Sequence, residues 1–200
     1  MNLPLFFLFS FLMGSIPTAY LFARFLKNID IRQYGSGNSG TTNAFRVLGW
    51  GPGAAVLAID FLKGFFPVIL FLKACSNLSA AHPEFLIGVG FTTILGHVFT
   101  PFLGFKGGKG VATGAGVLCA GFFQLFLPVL LVWFIVFFFT RIVSVSSITA
   151  LFSLVIFSIF FKMPAAAALS FLGVFLFSVW THRSNILRLL KSQENQFKPH

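Results

Sequence analysis

Four segments of the chain carry polar residues whose types and spacing could do chemistry, and the first is rich in Gly. Residues 35–46 read Gly-Ser-Gly-Asn-Ser-Gly-Thr-Thr-Asn-Ala-Phe-Arg. Gly at three of the first six positions lets several backbone N–H groups turn toward one point. Arg46 adds a guanidinium that can hold a phosphate through two hydrogen bonds. The segment is typical of an anion site, although a flexible polar turn has the same composition. Its candidate binding residues are Gly35, Ser36, Gly37, Asn38, Thr42, Asn43 and Arg46.

The second segment joins two Lys residues to a run of Gly. It reads Phe-Lys-Gly-Gly-Lys-Gly-Val over residues 105–111, at the predicted start of a helix. A Gly-rich backbone that leads into a helix N-terminus binds anions, and nearby Lys side chains strengthen the binding. The spacing excludes a P-loop, because Leu103 and Gly110 stand where that motif needs Gly and Ser or Thr. The candidate residues are Lys106, Gly107, Gly108, Lys109 and Gly110, and the alternative is a basic anchor at a membrane surface.

The third group consists of ionisable residues inside apolar runs. Asp60 and Lys63 stand three positions apart, which puts them on one helix face. Ionisable groups in such runs are costly, so each is a functional candidate, with a structural ion pair as the alternative. His97 could act as a base or as a hydrogen-bond donor, or could simply be a packed histidine.

The fourth segment is the basic tail after residue 181. His182, Asn185 and Arg188 recur at intervals of three, so a helix would place them on one face. We expect this face to point back toward the two Gly-rich loops. The alternative is a basic helix that lies on anionic lipid headgroups.

The rest of the chain is too apolar for a water-soluble fold. Hydrophobic residues make up 57% of the 200 positions and charged residues 9%, with a mean hydropathy of +0.93. Soluble domains average about 25% charged residues. The net charge of +10 does not indicate nucleic acid, because the basic residues lie between apolar runs. The sequence therefore predicts one all-α membrane domain over residues 1–200.

Apolar runs of about 20 residues mark the predicted membrane spans. The stretch 111–140 is long for one span, and Gly121, Gln124 and Pro128 offer a break in it. Two short helices there give about seven spans, with eleven Lys and Arg inside against two outside, Lys73 and Lys162. Since positive residues favour the cytoplasmic side, we expect the N-terminus outside and a cytoplasmic tail over residues 182–200. The predicted spans are 3–25, 48–72, 85–105, 111–123, 125–140, 142–161 and 164–181. Lys198 is one of the eleven basic residues expected on the cytoplasmic side.

Taken in order, the polar segments resemble a known family. Gly-Ser-Gly-Asn-x-Gly-x-Thr-Asn-x-x-Arg from residue 35, Asp60-x-x-Lys63-Gly64, Gly96-His97 with the 105–113 segment, and His182-Arg183-x-Asn185-Ile186-x-Arg188 all match. The chain is similar to the bacterial acyl-phosphate:glycerol-3-phosphate acyltransferases, the PlsY family, over nearly its whole length. Ser192 departs from the family pattern, in which Gly is common at this position.

The resemblance implies a membrane enzyme of phospholipid synthesis. It would transfer a fatty acyl group from acyl phosphate to the 1-hydroxyl of glycerol 3-phosphate, giving lysophosphatidic acid and phosphate. The implied location is the bacterial inner membrane, with the active site facing the cytoplasm. No cofactor, metal, nucleic acid or obligate protein partner is implied; membrane lipids and the two substrates are the expected partners.

The resemblance also suggests roles for the candidate residues. Ser36, Arg46, His97 and His182 are the expected catalytic group, and Glu194 is expected to be structural. The loop residues named above, with Asp60, Lys63 and Asn185, are the expected binding group. The base stays open between a histidine and a substrate phosphate. A small transporter for an anionic metabolite or lipid is the alternative function, although no matching halves are evident. A membrane scaffold is a third.

Overall fold

The computed structural model describes residues 3–76, 78 and 82–197. Lys198 and the last two positions of the predicted tail lie outside the described residues. The described part of the chain is built from helices joined by turns and short loops. It divides into two compact units, Met1–Gly121 and Phe122–His200. The predicted arrangement of residues 1–200 as one domain stays a prediction.

Unit 1 contains six described helices. They are α1 (Leu3–Ser15), α2 (Thr18–Lys27), α3 (Thr41–Leu48), α4 (Trp50–Ala74), α5 (Pro83–Val98) and α6 (Val111–Gly121). Two short 3-10 turns, Ile31–Gln33 and Pro101–Leu103, lie in the loops after α2 and α5. Within this unit α1 packs against α5, and α4 packs against α3, α5 and α6.

The first predicted span is broken rather than continuous. The helix from Leu3 ends at Ser15 and α2 begins at Thr18. Pro17 lies between them and has no backbone N–H to continue the helical hydrogen bonds. Together the two helices still form an apolar segment long enough to cross a membrane. The break leaves the Ile16 carbonyl available to other donors.

Glycine residues set the two closest helix crossings in unit 1. A Cβ on Gly14 would lie 2.0 Å from the Thr93 carbonyl oxygen, and one on Gly96 would lie 2.1 Å from that of Phe11. These contacts join α1 to α5. Gly64 and Gly116 join α4 to α6 in the same way, since a Cβ on either would lie 2.0 Å from a backbone oxygen of the other helix. Small residues let membrane helices approach until their backbones touch.

Unit 2 contains α7 (Phe123–Thr140), α8 (Val143–Phe160), α9 (Ala165–Thr181) and α10 (Arg183–Leu190). The helix α8 packs against both α7 and α9, and the chain bends by 60° between α9 and α10. The predicted split of 111–140 into two helices is confirmed, with the break at Phe122. The predicted spans put the break at Gln124, two positions after the observed one, and α7 runs through Pro128. Membrane helices tolerate Pro when neighbouring groups satisfy the freed backbone.

The prediction of an all-α integral membrane protein is confirmed. Five segments of the described residues are long and apolar enough to cross a membrane, and six if α9 and α10 form one span. The helix α6 has 11 residues and would rise only about 16 Å along its axis, short of the roughly 30 Å of hydrocarbon. The count of about seven spans and the sides of the two termini stay predictions.

Candidate active site

Asn43 organises the first Gly-rich loop, residues 35–40. Its Nδ2 donates to the carbonyl oxygens of Ile31 at 3.1 Å and Tyr34 at 3.0 Å, and its Oδ1 accepts the Ser36 N–H at 2.8 Å. The side chain is buried, so these bonds satisfy polar groups that water does not reach. Gly35 has φ of +61°, and a Cβ there would lie 2.2 Å from Asn43 Oδ1. The loop conformation therefore requires both residues.

The loop delivers the chain into the N-terminus of α3. Gly40 precedes this helix and supplies no side-chain cap, which leaves N–H groups of the first turn for a ligand. Thr42 and Arg46 lie one helical turn apart on α3. Because helical side chains lean toward the N-terminus, we infer that Arg46 reaches toward the loop. An anion here would meet both the helix dipole and the guanidinium.

The second loop folds back onto the end of α5. The N–H groups of Gly107 and Gly108 donate to the carbonyls of Val98 at 2.9 Å and His97 at 3.2 Å. A Cβ on Gly107 would lie 2.0 Å from the His97 carbonyl oxygen, and one on Gly108 would lie 2.0 Å from His97 Nε2. The second loop therefore packs against the C-terminal end of α5 at both glycines. It continues through Gly110 into α6.

The two loops lie side by side in unit 1. A Cβ on Gly40 would lie 3.8 Å from Gly108 Cα, and the Ser39 hydroxyl donates to the Lys106 carbonyl at 3.5 Å. Arg32 adds a third connection, because its Nη1 donates to the Leu103 carbonyl at 3.1 Å. The Arg32 guanidinium also binds Asp30 and holds the pKa of that carboxyl below its usual range. The N-termini of α3 and α6 therefore open next to each other.

Asp60, Lys63 and His97 form a buried cluster near these loops. Lys63 Nζ lies 2.8 Å from Asp60 Oδ1, and His97 Nδ1 lies 3.9 Å from the same oxygen. The Thr41 hydroxyl donates to Asp60 Oδ2 at 2.9 Å, and Lys63 donates to the Ile16 carbonyl at 2.9 Å. The predicted pairing of Asp60 with Lys63 is present, and both charges contact protein groups.

The tail residues belong to unit 2. His182 Nδ1 lies 2.9 Å from the Ser178 carbonyl oxygen, so this nitrogen must carry the proton and Nε2 is the acceptor. Asn185 Nδ2 and Arg188 Nε both donate to the Glu194 carboxylate, which the Ser144 hydroxyl also reaches at 2.9 Å. The predicted shared face of Asn185 and Arg188 is thus confirmed by their common partner. Its predicted direction toward the Gly-rich loops stays a prediction.

Acid should loosen the tail through Glu194. Burial raises the pKa of this carboxyl, but the hydrogen bonds from Asn185, Arg188 and Ser144 outweigh it and leave the pKa below the usual value. A carboxyl whose folded pKa is depressed adds stability above its unfolded pKa and loses it as the pH falls through the folded one. We expect backbone amides of the wild-type tail around Lys191 to lose protection from hydrogen exchange as the pH falls below about 4.5.

The matched control is Glu194→Gln, which cannot ionise. Its tail should be cleaved faster than that of the wild type at pH 7 and should show little further change on acidification. Tryptic cleavage at Lys191 compares the two proteins at pH 7. Hydrogen exchange, corrected for the intrinsic pH dependence of the exchange rate, follows the tail into acid. Equal acid sensitivity in both proteins would contradict the role of Glu194.

Comparison with known proteins decides the family. A sequence model described as glycerol-3-phosphate acyltransferase matches residues 4–192. A glycerol-3-phosphate acyltransferase from Fusobacterium nucleatum is 41% identical over 194 residues, covering 96% of this chain and 97% of the relative. The chain belongs to the glycerol-3-phosphate acyltransferase family. A second member, from Aquifex aeolicus, is 39% identical, with 95% of this chain and 96% of the relative covered.

Solved structures of this acyltransferase family support the same assignment. The crystal structure of PlsY, an integral membrane glycerol 3-phosphate acyltransferase, in its glycerol 3-phosphate form superposes with a TM-score of 0.91 at 37% identity. The match covers 99% of this chain and 96% of the other. The lysophosphatidic acid form of PlsY superposes with a TM-score of 0.88 at 37% identity, over the same shares. The predicted resemblance to the PlsY family is confirmed.

Most of the predicted site residues of this acyltransferase lie in unit 1, and the tail residues lie in unit 2. The loop residues, Asp60, Lys63 and His97 lie in unit 1, and His182 and Asn185 lie in unit 2. Lys106 is exposed, while His97 is only 7% exposed beneath the second loop. The catalytic and binding roles of all these residues stay predictions.

Sequence reasoning missed several residues that build the site. Thr41 stands in the first polar segment without an assigned role, and Arg32, Ser144 and the Ile16 carbonyl are not singled out by the sequence. Pro17 carried a usable signal, since a Pro within a span predicts a free carbonyl nearby. The long-range contacts of Arg32 with Leu103 and of Thr41 with Asp60 had no signal in a single sequence.

Proposed function

We propose that this acyltransferase moves a fatty acyl group from an acyl phosphate to the 1-hydroxyl of glycerol 3-phosphate. The single observation that supports this most is the adjacency of two Gly-rich helix N-termini, those of α3 and α6. Each can bind a phosphate through backbone N–H groups and the helix dipole. Two neighbouring phosphate sites suit a reaction in which donor and acceptor each carry a phosphate beside the reacting atoms.

The same adjacency favours acyl phosphate over a thioester donor. In acyl phosphate the phosphate is joined to the carbonyl carbon through one of its own oxygens, so a phosphate site also places the carbonyl. The phosphates of a coenzyme A thioester lie far from its carbonyl, and such a donor would not use the second site in this way. The fatty chain can remain among lipids, beside exposed apolar residues of α4 such as Leu62 and Phe66.

The chemistry needs no covalent enzyme intermediate. The glycerol 3-phosphate hydroxyl oxygen attacks the acyl carbonyl carbon, the bond from that carbon to the phosphate oxygen breaks, and the ester forms. The proton of the hydroxyl leaves with the phosphate group, whose second pKa is about 6. The products are lysophosphatidic acid and hydrogen phosphate, so atoms and charge balance. The protein has to hold two repelling anions together and stabilise the oxyanion.

The loop residues divide these tasks. The Ser36 hydroxyl and the N–H groups at the start of α3 would hold the donor. Arg46 with Lys106 and Lys109 would neutralise the phosphates. The N–H groups in the first turn of α6, just after Gly110, would hold the acceptor phosphate. Either His97 or His182 would orient the attacking hydroxyl. We place the reaction on the cytoplasmic side of the bacterial inner membrane, where it would begin phospholipid synthesis.

A direct assay tests the proposal. Detergent-purified wild type is incubated with glycerol 3-phosphate and either palmitoyl phosphate or palmitoyl-CoA, and lysophosphatidic acid is measured by mass spectrometry. Lysophosphatidic acid is expected in the incubation with palmitoyl phosphate and not in the incubation with palmitoyl-CoA. The analogue that lacks the 2-hydroxyl should be acylated, whereas the analogue that lacks the 1-hydroxyl should not. Product from palmitoyl-CoA but none from palmitoyl phosphate would exclude the proposed donor.

A further inference from the structure

The ion pair between Asp60 and Lys63 lies inside a membrane-spanning helix. The two residues are 1% and 4% exposed, with Nζ and Oδ1 2.8 Å apart. Replacing such a pair by apolar residues of similar size is often neutral or stabilising, because desolvation offsets the attraction. Stability alone therefore does not account for these two charges in α4.

Each charge reaches out of α4 to a different segment of unit 1. Lys63 Nζ donates to the Ile16 carbonyl at 2.9 Å, at the break between α1 and α2. Asp60 Oδ2 accepts the hydroxyl of Thr41, the first residue of α3, at 2.9 Å. The pair thus connects the broken first span to the end of the first Gly-rich loop.

The same carboxylate also faces the support of the second loop. Asp60 Oδ1 is buried and is the oxygen that pairs with Lys63. It has Lys63 Nζ on one side and His97 Nδ1 at 3.9 Å on the other. The His97 ring in turn leaves no room for a side chain on Gly108. The Asp60 carboxylate therefore lies between Thr41, which holds the first loop, and His97, against which the second loop packs.

The first loop can be held from a single point because it is braced internally. The Asn43 side chain joins Ile31, Tyr34 and Ser36 through three hydrogen bonds. A segment braced in this way moves as one body, so a tie at Thr41 controls the position of Ser36 and of the α3 N-terminus together. Displacements of about 1 Å at a reacting group cost about a hundredfold in rate.

We propose that Asp60, held by Lys63, is a positioning residue that fixes the first loop through the Thr41 hydroxyl and does not itself contact substrate. This inference rests on the proposed function only in that the first loop is a part of the phosphate-binding site. It replaces the expectation that Asp60 and Lys63 bind substrate directly.

The sharpest test changes Thr41 and leaves the charges in place. Thr41→Val removes the hydroxyl and keeps the shape, while Thr41→Ser keeps the hydroxyl. With palmitoyl phosphate and glycerol 3-phosphate, we expect kcat of the Val variant to fall by at least about tenfold with KM nearly unchanged. The Ser variant should stay within about threefold of wild type. Wild-type kcat in the Val variant, equal losses in both, or a loss confined to KM would each overturn the proposal.

A second readout does not depend on activity. In a background with Cys75→Ala and Cys119→Ala, a spin label at Asn38→Cys reports the mobility of the first loop. Thr41→Val should increase this mobility, as should Asp60→Asn combined with Lys63→Met, and the two changes together should add nothing further. An immobile label in the folded Thr41→Val protein would overturn the proposal. If the wild type does not use acyl phosphate but Thr41→Val still increases the mobility of the label, the inference is supported and the proposed donor is excluded.

Discussion

Arg46→Ala is expected to lower turnover by about a hundredfold to a thousandfold while the protein still inserts and folds. Arg46 is the only cation on α3, and the inferred lean of its guanidinium toward the first loop would let it neutralise charge that grows as the acyl group is transferred. Removing one such donor in a site shielded from water typically costs this much. The measurement is kcat with palmitoyl phosphate and glycerol 3-phosphate, beside yield and gel-filtration profile.

Two further variants separate charge from geometry at this position. Arg46→Lys keeps a cation but loses the paired hydrogen bonds, so it should recover only part of the lost rate. Arg24→Ala removes an exposed Arg that donates to the Asn28 carbonyl and should keep kcat within about twofold. Near-normal turnover of Arg46→Ala would remove this residue from the site.

Gly107→Ala should also reduce turnover by about a hundredfold. The added Cβ would lie 2.0 Å from the His97 carbonyl oxygen, which belongs to the backbone of α5 and cannot rotate away. The second loop must therefore shift, and its N–H groups shift with it. The control is Gly51→Ala, because a Cβ at this helical position meets no atom within 4 Å. Both are assayed for kcat and for thermal unfolding in detergent.

The neighbouring variant Gly108→Ala allows a test by rescue. Its Cβ would lie 2.0 Å from Nε2 of the His97 ring, a side chain that can be removed. We expect His97→Ala to restore part of the melting temperature lost in Gly108→Ala and none of that lost in Gly107→Ala. Rescue of both variants, or of neither, would contradict the packing of the loop on His97.

Much of the fold follows from local properties of the sequence. Long apolar runs must become helices in lipid, where each backbone polar group needs a partner within the segment. The break at Phe122 was foreseeable because 111–140 is too long for one span. The break at Pro17 was missed, since hydropathy stays high across it, although Pro itself marks the position.

The candidate site was predictable in composition but less so in geometry. Gly-rich sequence before a helix indicates an anion site, and both loops have this form. The role of Asn43 as the brace of the first loop was not visible, because its partners are backbone groups brought close by folding. The same holds for the Thr41 hydroxyl, whose acceptor Asp60 lies 19 residues away.

The helix crossings at Gly14 and Gly96, and at Gly64 and Gly116, also limit how the helices of unit 1 can move past each other. Where backbone meets backbone, no flexible side chain is available to absorb sliding of one helix past the other. These pairs can pivot about their glycine contacts far more easily than they can translate. We therefore expect the loops, rather than the crossing helices, to move when substrates enter and products leave. Larger residues at these glycines would force the helices apart, although none of the glycines contacts a reactive group.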